Sequence, residues 1–220
     1  ANYRESTLFV LGYSPHKNAT GLLNLFIRWE TFFTGLQYLS FALGGLPYMG
    51  VGRNLSYRKS LFLNNKGFVQ HQHVTGGDDD LFVNQHANRQ NTHIAIGTQT
   101  LVYTKAKENI RDYFKQKKRH LHVGKYYRGK HRFLIGLLAL NHLMFWIAFT
   151  ILAVRGYEVV WTCTILALRW VVMISIFYPI KLKLGEQSKF WEWLVGDLLL
   201  VPYYIIAGVV ALVSKKVQWN

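Results

Sequence analysis

Cysteine and acidic residues are both scarce in this 220-residue chain, and each scarcity excludes a class of protein. The one cysteine, Cys163, lies inside an apolar segment, so neither a disulfide scaffold nor a cysteine-based zinc site is indicated. Only 11 Asp and Glu oppose 26 Lys and Arg, which gives a formal net charge of +15. An excess of this size indicates anionic partners, such as nucleic acid, anionic lipid or phosphorylated substrates. No signal peptide is visible in residues 1–15, which lack a long apolar core.

Three long apolar segments predict helices that cross a membrane. Residues 133–154 contain no Asp, Glu, Lys or Arg, and as a helix they would extend about 33 Å, enough to cross a bilayer core. The second segment, 158–180, has Arg169 near its middle, and the third, 194–213, has Asp197 near its start. A charge inside a span is costly unless it is paired, so Asp197 is a candidate partner for Arg169. The alternative is that the second segment tilts or re-enters the membrane.

Residues 105–132 form a strongly basic block directly before the first apolar segment. The block holds eleven Lys and Arg against two acidic residues, Glu108 and Asp112. A basic cluster that abuts a membrane segment predicts an interfacial helix region in contact with anionic lipid at the cytoplasmic face. Nucleic-acid binding is the weaker alternative, because no nucleic-acid motif accompanies the charge. The distribution of Lys and Arg around the segments predicts a multi-pass protein of the inner (cytoplasmic) membrane, with its soluble half in the cytoplasm.

The soluble half shows both strand and helix patterns. Residues 7–11 form a short apolar run that predicts a strand, and residues 22–41 carry apolar residues at near-helical spacing. Residues 44–54 contain four glycines and a proline, which indicates a loop with close backbone approach or positive φ angles. Residues 55–63 then predict a helix. The soluble half is therefore expected to be of mixed α/β character.

Two side chains at the end of the glycine-rich loop suit a ligand that carries oxygen atoms. Arg53 offers a planar fork of donors to phosphate or sugar oxygens, and Asn54 offers both a donor and an acceptor to hydroxyl groups. The glycine spacing is not that of a P-loop or a dinucleotide fingerprint. The loop is therefore a candidate binding segment rather than a recognised phosphate motif.

Three adjacent carboxylates, Asp78, Asp79 and Asp80, follow in the chain. Like charges repel, so at least one of the three is expected to have a raised pKa, which suits a general base. The structural alternative is that Asp78 caps a helix that begins just after it. His71 and His73 could join the carboxylates in a metal site, or they could lie in a solvated turn.

The basic block contains a second candidate site. Gln116 and Arg119 are three residues apart and share one face of a predicted helix. The structural interpretation is the lipid-facing collar described above, and the functional one is a face that binds a diphosphate. One segment can serve both purposes.

The order of these motifs is more specific than any one of them. From the N-terminus they are Gly52 and Asn54, Arg58-Lys59, Lys66-Gly67-Phe68, Gly77-Asp78-Asp79-Asp80-Leu81, Gln116-x-x-Arg119 and the membrane helices. This order resembles the C-terminal part of a membrane-bound family 2 glycosyltransferase, most closely the bacterial members of the Bacteroidetes type. The resemblance extends from about Val10 to the first membrane helix.

The resemblance implies both a fold and a reaction. The fold is α/β, with the C-terminal half of a GT-A-type catalytic domain in residues 1–104. The basic interfacial helix region 105–132 follows, and then about three transmembrane helices in 133–220. The reaction is inverting transfer of a sugar from a nucleotide-sugar donor to a hydroxyl group of a lipid or saccharide acceptor, with no part for nucleic acid.

The resemblance also implies roles for individual residues. Asp79 is the first choice for the general base that deprotonates the acceptor, Asp78 is the second, and Asp80 completes the catalytic motif. Substrate-binding roles fall on the loop and on the basic segment, namely Gly52, Arg53, Asn54, Gln116, Arg119 and His120. His120 stands where the family has Trp, which removes a stacking surface and counts against processive polymer synthesis.

The resemblance further implies that this chain is a truncated piece. The family's nucleotide-binding half, with its uridine-binding Asp and its metal-binding Asp-x-Asp, has no counterpart in these 220 residues. A divalent cation, Mg²⁺ or Mn²⁺, is expected in the complete enzyme, with its ligands mostly missing here and no metal ligand assigned. The fragment alone is expected to be inactive. The alternatives are a noncatalytic membrane-anchored scaffold or lipid-binding subunit and, less favoured, a transporter.

Overall fold

The computed structural model describes residues 3–213, with side chains through residue 210. Within these residues the chain forms three strands and seven α-helices. In chain order they are β1 (Phe9–Gly12), α1 (Leu22–Leu43), β2 (Leu55–Tyr57), α2 (Lys59–Asn64), α3 (Asp78–His86), β3 (Thr92–Ala95), α4 (Ile110–Gly124), α5 (Gly129–Val154), α6 (Val159–Lys183) and α7 (Phe190–Val213). The prediction of an α/β fold followed by three apolar helices is confirmed.

Strand β1 lies at the centre of a small mixed sheet. It pairs antiparallel with β2 and parallel with β3, in the order β2-β1-β3. All four of its residues are buried, and Phe9 and Leu11 have no exposed surface. A central strand covered on both faces needs a continuous apolar run, and this explains the strand signal in the sequence.

The predicted helix at residues 55–63 is wrong in its first half. Leu55 and Tyr57 belong to β2, where they pair with Leu11 and Phe9 of β1. Arg58 keeps an extended backbone with φ −68° and ψ 134°, and helix α2 begins only at Lys59. Pairing with the edge of β1 therefore overrides the local helical pattern.

The helix predicted from the apolar spacing of residues 22–41 is present as α1, and it supplies much of the core. Trp29, Phe32 and Tyr38 are almost completely buried. The Tyr38 hydroxyl donates a hydrogen bond of 2.6 Å to the carbonyl oxygen of Gly12 at the end of β1. Phe32 and Trp29 also pack on Phe177 of α6. The sheet and the apolar helices therefore share one core through α1.

Helices α5, α6 and α7 are each long and apolar enough to cross a membrane. In their most apolar windows only 11% of α5 and 6% of α6 is buried, against 28% of α7. Few residues of α5 and α6 are therefore buried, as expected for helices that face lipid. Residues 214–220 of the predicted membrane region lie outside the described residues.

The predicted pairing of the two charges in the apolar helices is confirmed. Arg169 of α6 donates from Nη2 and Nε to the two carboxylate oxygens of Asp197 in α7, at 2.8 and 3.2 Å. The guanidinium also lies 4.3 Å from the ring centre of Phe145 in α5. A bidentate pair with a cation–π contact offsets the cost of a charge among apolar helices.

Helix α7 contacts α1 and α4 as well as α5. Near its start, the Asp197 carbonyl oxygen lies 3.1 Å from Nε2 of His142, in the middle of α5. Further along, Ala207 and Gly208 line a cavity together with Gly136, which is nearer the start of α5. If α7 crossed the membrane in the same direction as α5, its start would face the start of α5 and its end would face the end of α5. The predicted third helix is therefore present, but its C-terminal half packs against the basic helix α4.

Candidate active site

The three adjacent carboxylates form the first turn of helix α3. The prediction that Asp78 is the helix cap is wrong, because Gly77 occupies that position with φ +80°, and the helix starts at Asp78. Negative side chains are stabilised at a helix N-terminus, so the acidic triplet suits its place. The helix turns the three side chains into different surroundings. Asp78 is exposed, Asp79 is half-buried, and Asp80 is buried.

The Asp79 carboxylate joins the acidic triplet to the glycine-rich loop. Its Oδ2 accepts a hydrogen bond of 2.6 Å from the backbone N–H of Gly52, and its Oδ1 accepts one of 2.9 Å from the N–H of Asp80. A Cβ atom on Gly52 would lie 2.8 Å from Oδ2 of Asp79, so the approach requires glycine. Burial raises the pKa of Asp79, while the Gly52 and Asp80 N–H groups act in the opposite direction.

The Asp80 carboxylate lies in the core, only 6% exposed. Burial and then the neighbouring charge of Asp79 raise the pKa of Asp80 well above its usual value, and a hydrogen bond to Tyr127 acts against them. Its Oδ1 has no hydrogen-bond partner among the described residues. The neutral acid is the form that this environment favours.

The Asn54 side chain holds the loop in place. Its Nδ2 donates to the carbonyl oxygens of Tyr13 and Thr100, at 2.6 and 2.7 Å. These two acceptors follow β1 and β3, so Asn54 fixes the loop against the end of the sheet. The structure therefore gives this predicted binding residue a positioning contact with the backbone.

Three of the predicted binding residues line one small cavity. Arg53 from the loop meets Gln116 and His120 from α4 around a space of about 80 Å³. Gln116 and His120 are four residues apart, so they lie on the same face of α4. The structure thus brings together two motifs that are far apart in the sequence.

A second cavity of about 440 Å³ adjoins the first and extends to the apolar helices. Asp80, Lys125 and Tyr127 line it together with residues of α1, α4, α5 and α7. The two cavities share Glu30, Thr34, Met49, Lys117 and His120. Arg119 is not among the residues that line either cavity, although the sequence groups it with Gln116.

The sequence analysis missed an ion pair in the wall between the cavities. Glu30 of α1 is 4% exposed, and its carboxylate lies 2.6 Å from Nζ of Lys117 in α4. Thr34 also donates to Glu30 at 3.1 Å. The signal in the sequence is an acidic residue inside the long apolar pattern of α1. Its position places a fixed pair of charges beside the predicted binding residues.

The histidines that precede the triplet have aromatic neighbours. The buried His71 ring packs on Phe68, and the His73 ring on Tyr126, with ring centres 5.8 and 5.9 Å apart. Among the described residues no group of three or more His, Cys, Asp or Glu is arranged to hold a metal ion. The proposed combination of these histidines with the acidic triplet therefore has no support in the geometry.

Comparison with models of protein families matches residues 17–211 to the family described as glycosyl transferase family group 2. The chain belongs to that family. A search of curated proteins finds no match. The matched region includes the glycine-rich loop, the acidic triplet, α4 and most of the apolar helices.

Membership of this glycosyltransferase family gives the two cavities a general chemical meaning. The protein is a transferase that acts on a sugar donor and an acceptor. It carries helices that could cross a membrane, which suggests a membrane protein. In the described part of the chain the smaller cavity is lined by Arg53, Gln116 and His120, and the adjoining larger cavity reaches Asp80 of the acidic triplet.

Proposed function

We propose that the protein is an inverting, membrane-bound family 2 glycosyltransferase that moves a sugar from a nucleotide-sugar to an acceptor hydroxyl. Asp79 is the general base. The observation that carries this assignment is the hydrogen bond of 2.6 Å between its carboxylate and the Gly52 N–H. This bond fixes a carboxylate beside the loop that ends in Arg53, next to the smaller cavity.

Asp79 suits the role of base better than either neighbour. Two N–H groups stabilise its ionised form, while half-burial raises its pKa towards the range useful for proton transfer. Asp80 is held neutral in the core and therefore cannot accept a proton readily. Asp78 is exposed and remains the second choice. In an inverting reaction the base removes the proton of the acceptor hydroxyl while the oxygen attacks the anomeric carbon and the nucleoside diphosphate leaves.

The donor side of the proposal rests on Gly52, Arg53 and the face of α4. A guanidinium and a neutral amide around a small cavity match phosphate and sugar oxygens, so Arg53 and Gln116 are assigned to substrate. His120 lies between the two cavities and is assigned to the boundary of donor and acceptor. Arg119 keeps its proposed role at the diphosphate only in the complete enzyme.

A divalent cation belongs to the proposal for the complete enzyme, but the acidic triplet does not fit it. The Asp79 oxygens are engaged by N–H groups, Asp80 faces the core and Asp78 faces solvent. We therefore propose that most cation ligands lie outside these 220 residues, in keeping with a truncated relative of the Bacteroidetes-type enzymes. No step assigned to the present residues passes through the cation.

The proposed location is the cytoplasmic side of the inner membrane. Helices α5 and α6 have the length, apolarity and exposure of membrane spans, and the basic block lies before α5. The acceptor is then a lipid or saccharide that reaches the larger cavity from the membrane side, in a pathway for a glycolipid or a surface polysaccharide precursor.

The experiment that tests the proposal uses the complete protein in detergent micelles or nanodiscs. A panel of nucleotide-sugars is offered with membrane lipid extract, and the nucleoside diphosphate released and the anomeric configuration of the product are measured. Transfer with inversion of the anomeric centre is expected for at least one donor. Retention of configuration would refute the inverting mechanism, and an absence of transfer from every donor would favour the scaffold alternative.

A further inference from the structure

A third cavity lies outside the proposed active site, in the cleft between helices α4 and α7. Its volume is about 420 Å³, within the range of roughly 300–1,000 Å³ that small-molecule sites occupy. One face of α4 forms the first wall, and residues 203–210 of α7 form the second. The α7 residues Tyr203, Ile206, Ala207 and Val210 follow the i, i+3, i+4, i+7 pattern of a single helical face. Arg111, Phe114, Lys115 and Lys118 follow the same pattern on α4, with Lys117 and Leu121 beside them.

The α4 wall carries charge and the α7 wall does not. Helix α4 contributes the cations Arg111, Lys115, Lys117 and Lys118 together with the apolar Phe114 and Leu121, and no acidic residue lines the cleft in the described part of the chain. The ion pair with Glu30 at 2.6 Å engages Lys117. On the α7 side the lining residues are apolar apart from the Tyr203 hydroxyl.

The apolar wall continues onto an exposed apolar surface. Ile205, Ile206 and Val209 of α7 are 55%, 43% and 56% exposed. Large aliphatic side chains exposed together on one helix indicate contact with lipid or protein. Because α7 contacts α4, the basic residues of α4 and this apolar surface of α7 meet at the cleft.

We propose that this cleft binds one anionic phospholipid of the surrounding bilayer. The phosphate lies among Arg111, Lys115 and Lys118, and an acyl chain follows Ile206 and Val210. The cations favour an anionic headgroup. The apolar wall favours a lipid, because an acyl chain buries apolar surface against it and a soluble phosphate does not. The cleft adjoins the larger cavity, with which it shares Lys117, Leu121, Tyr203 and Ala207, but lipid binding there does not depend on sugar transfer.

A bound lipid would have a structural consequence for the active site. Lys117 and Leu121 line this cleft and also the larger cavity beside Asp80. Helix α4 therefore has the lipid on one side and the candidate active site on the other. Occupation of the cleft would hold α4 against α7 and so fix the position of Gln116 and His120.

The test measures lipid selectivity directly on the full chain in nanodiscs. Spin-labelled phosphatidylglycerol and spin-labelled phosphatidylcholine are each added at low mole fraction to phosphatidylcholine nanodiscs, and the immobilised fraction is read by electron paramagnetic resonance. The wild-type protein should immobilise phosphatidylglycerol preferentially. Replacing Arg111, Lys115 and Lys118 by Gln should lower this preference, by up to about fivefold for each cation. Gln is a good helix former, so α4 should persist, as circular dichroism will show.

A matched variant separates a built site from general basicity. Lys105, Lys130 and Lys189 are exposed and line none of the three cavities described above. Replacing these three by Gln removes the same charge and should leave the preference within about twofold of wild type. An equal loss in both triple variants would show diffuse attraction and overturn the proposal, as would an absence of preference in the wild type. Displacement of the labelled lipid by soluble glycerophosphate at the same concentration would also overturn the assignment to a lipid.

Discussion

At the residue scale the candidate site depends on the close approach of Asp79 to Gly52. Adjacent carboxylates in one helical turn would be equivalent by sequence alone, yet the fold gives each a different environment. Asp78 is exposed to solvent, Asp79 accepts hydrogen bonds from backbone N–H groups, and Asp80 is buried in the core. One motif thereby places a carboxylate that accepts backbone hydrogen bonds beside a carboxylate whose pKa is raised further by burial.

A methyl group on Gly52 should disturb this arrangement. In Gly52→Ala the new Cβ would lie 2.8 Å from Oδ2 of Asp79, so the carboxylate must move. Misplacement of a catalytic group by about 1 Å costs on the order of 10²-fold in rate. We expect kcat for sugar transfer by the complete enzyme to fall by this factor. Gly129→Ala, where a Cβ would meet nothing within 4 Å, is the control and should keep wild-type kcat.

The raised pKa of Asp80 predicts a pH-dependent stability. The pKa of Asp80 in the folded state is above its usual value. The stability that Asp80 contributes is therefore fully present at a pH below the usual pKa. It is lost as the pH rises through the raised pKa. Asp80→Asn cannot ionise, so it should be more stable than wild type at neutral pH, by about 1.4 kcal/mol for each unit of pKa shift. Thermal unfolding in detergent between pH 5 and 8 measures this.

The control for this experiment is the exposed Asp112→Asn, also in a first helical turn, which should show no such trend. A stability advantage of Asp80→Asn that shrinks as the pH rises would contradict the assigned direction of the pKa shift.

At the scale of elements, charged pairs join helices that are distant in the chain. Arg169 and Asp197 link α6 to α7, and Glu30 and Lys117 link α1 to α4. Asp197→Leu leaves the Arg169 guanidinium without its carboxylate among apolar helices, which should cost about 3 kcal/mol of stability. The double variant Arg169→Leu/Asp197→Leu removes both charges and should recover most of this loss. Unfolding in mixed micelles measures both, and a double variant less stable than Asp197→Leu would contradict the pairing argument.

The local pattern of apolar residues predicted the helices and strands in which that pattern is strong. Helix α1 follows from apolar spacing, α5 and α6 from long apolar runs, α4 from the basic block before them, and β1 from a short apolar run. Strand β2 was missed because its pairing with β1 depends on residues more than forty positions away. The packing of α7 on α1 and α4 likewise depends on tertiary contacts, such as the close approach of Gly196 to the Trp29 ring.

The candidate site was predictable in composition but not in arrangement. The motifs named Asp79, Arg53, Gln116 and His120. The fold brings the last three to one cavity and joins Asp79 to the loop beside Arg53 through the Gly52 N–H. Their contacts could not be read from spacing, because the loop, α3 and α4 come from separate parts of the chain. Glu30 was missed for a related reason, since an isolated acid in an apolar helix reveals its partner only in three dimensions.

At the scale of the whole molecule, the basic helix α4 and the apolar helices α5 and α7 together line the larger cavity of the candidate active site. If α5 and α6 cross the membrane, the turn between them lies on the far side from residues 105–132. In a Cys163→Ser background, Arg155→Cys in that turn should react with a membrane-impermeant thiol reagent applied to intact cells. Lys105→Cys should react only after lysis, because it lies in the basic block. Labelling of position 105 in intact cells would contradict the proposed orientation.

The most direct measurement of the central claim is sugar transfer by the Asp79→Asn variant of the complete enzyme. Loss of a general base costs about 10²–10⁴-fold in rate. We therefore predict that kcat falls by at least 10²-fold, while membrane insertion, nucleotide-sugar binding and thermal stability stay close to wild type. Asp112→Asn, the matched change at an exposed first-turn position, should retain full transfer. Transfer by Asp79→Asn at the wild-type rate would contradict the account.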